Sequence, residues 1–188
     1  MECILKGAVM NQAEIESLFA EYPIYQYAFL KPQEIPFSEK VRFICKEECE
    51  RYGKSWSCPP AVGTVEECQK RCMKYDHVLL FSTVAEAGDT YDFQSRLDTK
   101  KEHEFYTTEL ESKLRAAGMD VLTLSSDSCA ICESCAYDAA PCRHREQMHP
   151  CIESYGIILT PLLEKLEMDY FLSEQHILWF SIILFNHA

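Results

Sequence analysis

Four cysteines lie within fourteen residues in the stretch CAICESCAYDAAPC. They are Cys129, Cys132, Cys135 and Cys142, and their spacing is C-x2-C-x2-C-x6-C. Thiols at this density suit a disulfide knot, a zinc site or an iron–sulfur cluster. A triplet with this spacing can fold around one cubane and give three irons one ligand each, and bacterial ferredoxins begin with the same triplet. Zinc is better served by two C-x2-C pairs that lie further apart, so the spacing favours iron–sulfur and leaves zinc as the alternative.

A second group of three cysteines lies in the first half of the chain, in CKEECERYGKSWSCPP. They are Cys45, Cys49 and Cys58. Their spacing is too irregular for one face of a helix or an alternating strand. The pair Tyr52-Gly53 permits a tight turn that would bring Cys49 and Cys58 together, and Pro59-Pro60 would hold the chain extended as it leaves. We interpret this group as a second metal site that needs a fourth ligand.

Cys68 and Cys72 are the cysteine candidates for that fourth ligand, and a group other than cysteine is the alternative. They lie four residues apart on one face of a predicted helix, in line with Val65 and Tyr75. Free cysteines at such positions usually act as small apolar core residues, so we predict that at most one of them is a ligand. Cys3 and Cys151 have no partner in sequence and are interpreted as incidental thiols.

Charged and imidazole side chains follow Cys142 in the stretch RHREQMH. His144 and His149 are possible ligands by position, but a polar stretch of this kind predicts solvated histidines. Arg143 and Arg145 would favour the negative charge of a thiolate-bound cluster.

The composition excludes some classes of partner and structure. The chain has 188 residues, with 18 basic and 30 acidic side chains and a net charge of -12, which argues against nucleic-acid binding. No secretory signal is visible, which predicts a cytoplasmic protein with reduced thiols, and the odd count of 11 cysteines also disfavours complete disulfide pairing. The longest apolar stretch, residues 177–185, is far shorter than the ~20 residues that span a bilayer, so we predict a buried strand and no membrane association.

The remaining periodicities predict alternating helices and strands. Helices are expected at residues 11–22, 64–74, 93–117 and from Thr160-Pro161 onward. Extended segments are expected at residues 25–30, 41–45, 76–84, 119–125 and 177–185. This alternation predicts an α/β fold, with a mixed sheet flanked by helices and cysteine-rich metal-binding loops at strand ends. We expect a single α/β metal-binding domain over residues 1–188, with residues 1–24 as an accessory N-terminal helical segment.

Both cysteine groups belong to longer motifs, C-x3-C-x2-YGKSW-x-CPP and C-x2-C-x2-C…PCRH-x-EQM-x-P…E-x-YGI. These motifs resemble a bacterial and archaeal family of predicted metal-binding proteins, domain of unknown function 2284, from about Tyr25 to the last strand. The resemblance implies a metal site, and the family pattern usually has serine where this chain has Cys151. The ligands that it implies are Cys45, Cys49, Cys58, Cys129, Cys132, Cys135 and Cys142.

The leading functional hypothesis is one or two iron–sulfur clusters, of the [4Fe-4S] type, in an electron-transfer or redox-accessory role with a redox partner protein. An acidic surface suits docking to a basic partner. The alternatives are an iron–sulfur enzyme with an open iron site and a zinc-stabilised interaction module. The chain offers no nucleophile–base pair, phosphate loop or dinucleotide fingerprint, so the sequence leaves catalysis, substrate and oligomeric state open.

Overall fold

The computed structural model of the chain describes residues 10–86 and 93–186. Its helices are α1 (Gln12–Leu18), α2 (Glu39–Glu48), α3 (Val65–Cys72), α4 (Phe93–Ala116) and α5 (Leu159–Lys165). Its strands are β1 (Ile24–Leu30), β2 (His77–Glu86), β3 (Asp120–Ser125) and β4 (His176–Asn186). Single turns of 3-10 helix occupy Phe19–Glu21, Pro32–Glu34 and Glu153–Tyr155. The predicted α/β class is confirmed.

The four strands form one sheet in the order β1-β2-β4-β3, and each neighbouring pair is antiparallel. Strands β2 and β3 run in the same direction and are connected through α4. They are not paired with each other, because β4 lies between them. The pairing is therefore antiparallel where we expected a mixed sheet. Outside the sheet, Ser125 at the end of β3 forms an isolated parallel β-bridge with Cys151.

Strand β4 is central and is buried on both faces, as its apolar run, interrupted only by Ser181, predicts. Successive side chains of a strand point to opposite faces, so Ile182 and Ile183 belong to different core clusters. The cluster on the Ile182 face includes Cys68 and Cys72 of α3, together with Leu162 and Leu163 of α5. The cluster on the Ile183 face includes Ile15 of α1, together with Leu110 and Leu114 of α4. The sheet therefore lies between two layers of helices.

The expected extended segment at residues 41–45 is wrong, because these residues belong to α2. Ser38 caps this helix, since its hydroxyl accepts the backbone N–H of Lys40 at 3.2 Å. Val41, Phe43 and Ile44 favour strands as isolated residues, but the local cap and the helical hydrogen bonds decide their conformation here.

The buried face of α4 combines apolar and polar side chains. His103, Leu110 and Leu114 are buried, whereas Tyr106 is half-buried and its hydroxyl donates to Glu102 at 2.9 Å. Polar side chains take the remaining inward positions, namely Lys100, Thr107 and Glu111. The helix thus brings a row of polar groups into the protein interior.

The N-terminal part of the chain contributes to the core through α1, where Ile15 is fully buried. Residues 1–9 lie outside the described residues, so the division into an accessory segment and a single domain stays a prediction. Within residues 10–86 and 93–186, none of the helices combines the length and the apolar character that crossing a membrane requires.

Candidate metal centre

The first cysteine group begins in a helix and ends in a tight loop. Cys45 lies in the last turn of α2, and Cys49 follows as the cap residue, with its N–H donating to the Cys45 carbonyl at 3.3 Å. Gly53 has a φ of 67°, and its N–H donates to the Pro59 carbonyl at 2.8 Å. This confirms the predicted turn and returns the chain to the buried Cys58. The chain does not leave in an extended form, because residues 59–62 continue as turns, and the Pro59-Pro60 peptide bond is cis.

Cys45 and Cys49 line one side of an open cavity of about 800 Å³. Cys151, Glu153 and Asp127 line the same cavity. Burial raises the pKa of the Cys45 thiol, and the negative charges of Cys49 and Glu153 raise it further. The thiols of this group therefore stand within electrostatic reach of one another.

Cys58 is buried and is not among the residues that line this cavity. Burial raises the pKa of the Cys58 thiol to about 11. A hydrogen bond with Ser57 lowers this pKa, and negative charge on Cys49 raises it. Burial also raises the pKa of the Cys151 thiol, and the neighbouring carboxylate of Glu153, to which Cys151 Sγ donates at 2.8 Å, adds to this. Both buried thiols are thus protonated at neutral pH until a cation binds them.

The second cysteine group lies in the loop that follows β3. Cys132 and Cys135 line a shallow surface hollow together with Arg143 and His144. Burial alone would raise the pKa of the Cys135 thiol, but hydrogen bonds from the backbone N–H groups of Trp56 and Tyr137 and the charge of Arg143 lower it. Cys135 is therefore held in an environment that favours the thiolate, the form that binds metals.

Residues 55–58, which we name the shared segment, connect the two cysteine groups. The hydroxyl of Ser57 accepts the backbone N–H of Cys129 at 2.9 Å, and its carbonyl accepts that of Cys151 at 3.1 Å. Trp56 Nε1 donates to the Ala140 carbonyl at 3.1 Å, and the Trp56 ring packs edge-on against Tyr137 with centroids 5.1 Å apart. Residues 55–58 therefore contact both the first cysteine group and the loop after β3 that carries the second group, which we call the second loop.

A buried charge network borders the second loop. His149 lies between two carboxylates, with Nδ1 2.9 Å from Glu104 and Nε2 2.8 Å from Glu111. Burial alone would lower the pKa of His149, but the hydrogen bonds and charges of these two carboxylates raise it to about 9. Burial alone would raise the pKa of Glu104, but His149 and Lys100 lower it to about 2. His149 is thus a buried cation, and the expectation of a solvated histidine is wrong.

The same network reaches the start of the second loop. The ammonium group of Lys100 donates to the carbonyls of Ser126 and Ser128 at 3.0 and 2.7 Å. Lys100, Glu104 and His149 line a small cavity together with Cys129. His144, by contrast, is exposed, as the sequence predicts.

A family model described as "Predicted metal-binding protein (DUF2284)" matches residues 28–185. The chain belongs to the DUF2284 family. The match includes both cysteine groups and all four strands except the first residues of β1 and the last residue of β4, in agreement with the resemblance of the two motifs. No curated protein and no solved structure matches the chain.

A metal-binding role for this DUF2284 chain agrees with the chemistry of its donors. The ten cysteines that the structure describes are free thiols. In the described part of the chain, no group of three or more histidine, cysteine, aspartate or glutamate side chains is arranged as it would be around a metal ion. The donor type nevertheless fits a thiophilic metal, because the thiols are free and Cys135 already has a lowered pKa. Each of the seven predicted ligands stays a prediction.

Cys68 and Cys72 lie elsewhere. Both are fully buried in the core cluster on the Ile182 face. Cys68 Sγ accepts from Arg71 Nη2 at 3.0 Å, and burial raises the pKa of the Cys72 thiol to about 12. Neither residue is among those that line the cavity of Cys45 and Cys49.

The sequence did not indicate the contacts that three residues of this region make: Ser57, His149 and Cys151. Their positions depend on contacts between distant parts of the chain. A usable signal existed for His149 alone, because Glu104 and Glu111 lie seven residues apart, on the same helical face as His103 and Leu110.

Proposed function

We propose that this protein is an iron–sulfur protein of the DUF2284 family that exchanges electrons with a redox partner protein in the cytoplasm. The observation that carries the proposal is the contact of the two cysteine groups across the shared segment. Two redox centres on opposite sides of Ser57 would lie close together, as a short electron path requires.

The residues would be distributed over two centres. Cys129, Cys132, Cys135 and Cys142 would hold one [4Fe-4S] cluster in the second loop. Cys45, Cys49 and Cys58 would supply ligands to the second centre. When bound, such clusters supply one-electron redox chemistry. The side chains of each set would move towards one another as they bind.

The surroundings of the thiols support this role. Backbone hydrogen bonds of Trp56 and Tyr137 lower the pKa of the Cys135 thiol, and hydrogen bonds to cluster sulfurs are one means by which proteins tune reduction potentials. Arg143 adds positive charge beside the same sulfur, which favours the anionic form of a thiolate-bound centre.

A docking surface for the partner would lie at the first group. The exposed apolar side chains Ile44, Tyr170 and Phe171 line the same cavity as Cys45 and Cys49. The net charge of -12 would favour a partner with a basic surface. An apolar patch inside an acidic surface suits a transient complex.

Anaerobic purification followed by iron and acid-labile sulfide analysis tests the proposal. We expect a brown protein that contains iron and sulfide, bleaches with a low-potential reductant and recovers on reoxidation. The triple variant Cys129→Ala, Cys132→Ala, Cys135→Ala should lose the second-loop cluster, whereas exposed Ser134→Ala should keep it. A colourless protein with zinc and no sulfide would overturn the proposal in favour of a zinc-stabilised module, and full iron retention in the triple variant would overturn the ligand assignment.

A further inference from the structure

Cys151 occupies a fixed position beside the first cysteine group. Its N–H donates to the Ser57 carbonyl at 3.1 Å, and the N–H of the next residue, Ile152, donates to the Ser125 carbonyl at 2.9 Å. Two backbone hydrogen bonds thus hold the segment around Cys151 between the shared segment and the end of β3. Cys151 is 8% exposed, so its place is set by the fold and not by a surface loop.

Three parts of the chain bring thiols to this place. Helix α2 ends with Cys45 and Cys49, the shared segment ends with Cys58, and Cys151 precedes the 3-10 turn at Glu153–Tyr155. Cys45, Cys49 and Cys151 line a common cavity, and Cys58 directly follows the residue whose carbonyl holds Cys151. Three thiols therefore line one cavity and a fourth, Cys58, is adjacent in the chain to Ser57, which holds Cys151, although the sequence groups only Cys45, Cys49 and Cys58.

We propose that Cys151 is the fourth thiolate ligand of the centre formed by Cys45, Cys49 and Cys58. Four thiolates are the complete ligand set for a structural zinc ion and for a [4Fe-4S] cluster, so the site takes a thiophilic metal centre of one of these kinds. This inference rests on the proposed function, in that it assumes a metal at the first group. It replaces Cys68 and Cys72, which lie in the core and do not line this cavity.

Glu153 holds the side chain of Cys151 in place. The Cys151 thiol donates to Glu153 Oε2 at 2.8 Å, and this carboxylate is half-buried and lines the same cavity. Glu153 is therefore a positioning residue for the sulfur.

Cobalt(II) titration of the full chain, under anaerobic conditions with thiols reduced, tests the assignment. Cobalt(II) reports thiolate ligation through sulfur-to-metal charge-transfer absorption, independently of any activity. We expect two tight equivalents for the wild type. Cys151→Ala should lose one of them, with an affinity loss above about 100-fold, since losing a residue that only hydrogen-bonds a ligand already costs roughly 10- to 100-fold. Glu153→Gln should show the smaller loss.

Two further variants separate ligation from packing. Cys151→Ser keeps the size of the side chain and a hydroxyl that donates to Glu153, so it should fold like the wild type in circular dichroism and still lose thiolate absorption at this centre. Cys72→Ala, which removes another buried thiol, one that belongs to the core, should keep both equivalents. Wild-type binding by Cys151→Ala and Cys151→Ser, or loss of an equivalent in Cys72→Ala, would overturn the inference.

Variants of the first cysteine group distinguish a failure of the Cys151 assignment from a failure of the proposed metal centre. If Cys45→Ala and Cys58→Ala lose one equivalent while Cys151→Ala does not, the metal centre stands and only the assignment of Cys151 falls. If none of these variants changes cobalt binding, the first centre does not exist, and the proposed two-centre function and this inference both fall.

Discussion

The backbone N–H of Cys151 donates to the carbonyl oxygen of Ser57 at 3.1 Å, while the hydroxyl of the same serine accepts the N–H of Cys129 at 2.9 Å. A single buried residue thus fixes two cysteines from remote parts of the chain and precedes a third, Cys58. The backbone contact survives any substitution of Ser57, whereas the hydroxyl contact does not, so the two can be separated experimentally.

Replacing Ser57 by alanine should weaken the attachment of the second loop. The change leaves the partly buried N–H of Cys129 without its acceptor, which costs roughly 1–3 kcal/mol in the free energy of unfolding. Urea denaturation of the metal-free protein measures this loss. Ser134→Ala, whose side chain is exposed on the same loop, is the matched control and should change stability by less than about 0.5 kcal/mol. Equal stability of the two variants would contradict the role of Ser57.

Replacing His149 by glutamine should destabilise the protein strongly. The carboxylates of Glu104 and Glu111 would lose the buried cation between them, and breaking a buried ion pair in this way costs about 3 kcal/mol or more. Thermal or urea unfolding measures the effect. His144→Gln changes the same residue type at an exposed position of the same loop and should be neutral within about 0.5 kcal/mol. A neutral His149→Gln would show that the network contributes little.

The buried His103 should make stability fall in mild acid. Burial lowers the pKa of its imidazole to about 4, from 6.5 in the unfolded chain, and its ring nitrogens face the hydroxyls of Thr83 and Ser181. The folded state therefore binds fewer protons than the unfolded state between these two values. This contribution to stability is complete above pH 6.5 and is lost as the pH falls towards 4, by about 2 kcal/mol between pH 6.5 and 5.

Urea unfolding at pH 7, 6 and 5 checks this titration. His103→Gln keeps a hydrogen-bonding side chain but cannot titrate, so its stability should fall less over this interval. His149, with its raised pKa, stays protonated in the folded state throughout this interval, so its titration in the unfolded chain opposes the effect equally in the wild type and in His103→Gln, and the lowered pKa of Glu104 acts mainly below pH 4.5. A slope shared by the wild type and His103→Gln would assign the acid sensitivity to other groups.

Replacing Cys68 or Cys72 by alanine should cost packing energy and leave the metal content unchanged. Both side chains are fully buried in the core cluster beside β4, and the loss of a small buried group costs roughly 1 kcal/mol per site. Iron and sulfide analysis beside urea unfolding checks both parts. A drop in bound iron in either single variant would make that cysteine a ligand.

The parts of the fold that the sequence predicts are those with a local or periodic cause. The apolar run of β4 predicts a strand buried on both faces, and the Thr64–Glu67 capping box predicts the start of α3. At residues 41–45, β-prone residues mislead, because the helix cap at Ser38 outweighs their propensity. The position of β4 between β2 and β3 has no local signature, so the antiparallel pairing was not predictable from the pattern of elements.

In the candidate site, too, the features with a local cause were predictable from the sequence and those set by tertiary contacts were not. The spacing of cysteines within each group is visible in sequence, and so is the turn at Gly53. The contact of the groups through Ser57 and the approach of Cys151 depend on tertiary hydrogen bonds, which a linear pattern cannot contain. The buried polar residues of α4 were not predictable for a related reason. Charged residues on a helix are normally solvated, and here they are buried because they pair with polar groups of other segments.

The central position of β4 also determines when the sheet can be completed during synthesis of the chain. Strand β4 is synthesised after β2 and β3, yet it is the strand that both of them pair with. While the ribosome is still making residues 176–186, the half-built sheet lacks its middle, and the loops that carry the thiols have no closed core to rest on. Metal delivery during translation would therefore meet an open chain, whereas delivery after release would meet thiols already placed by the finished sheet.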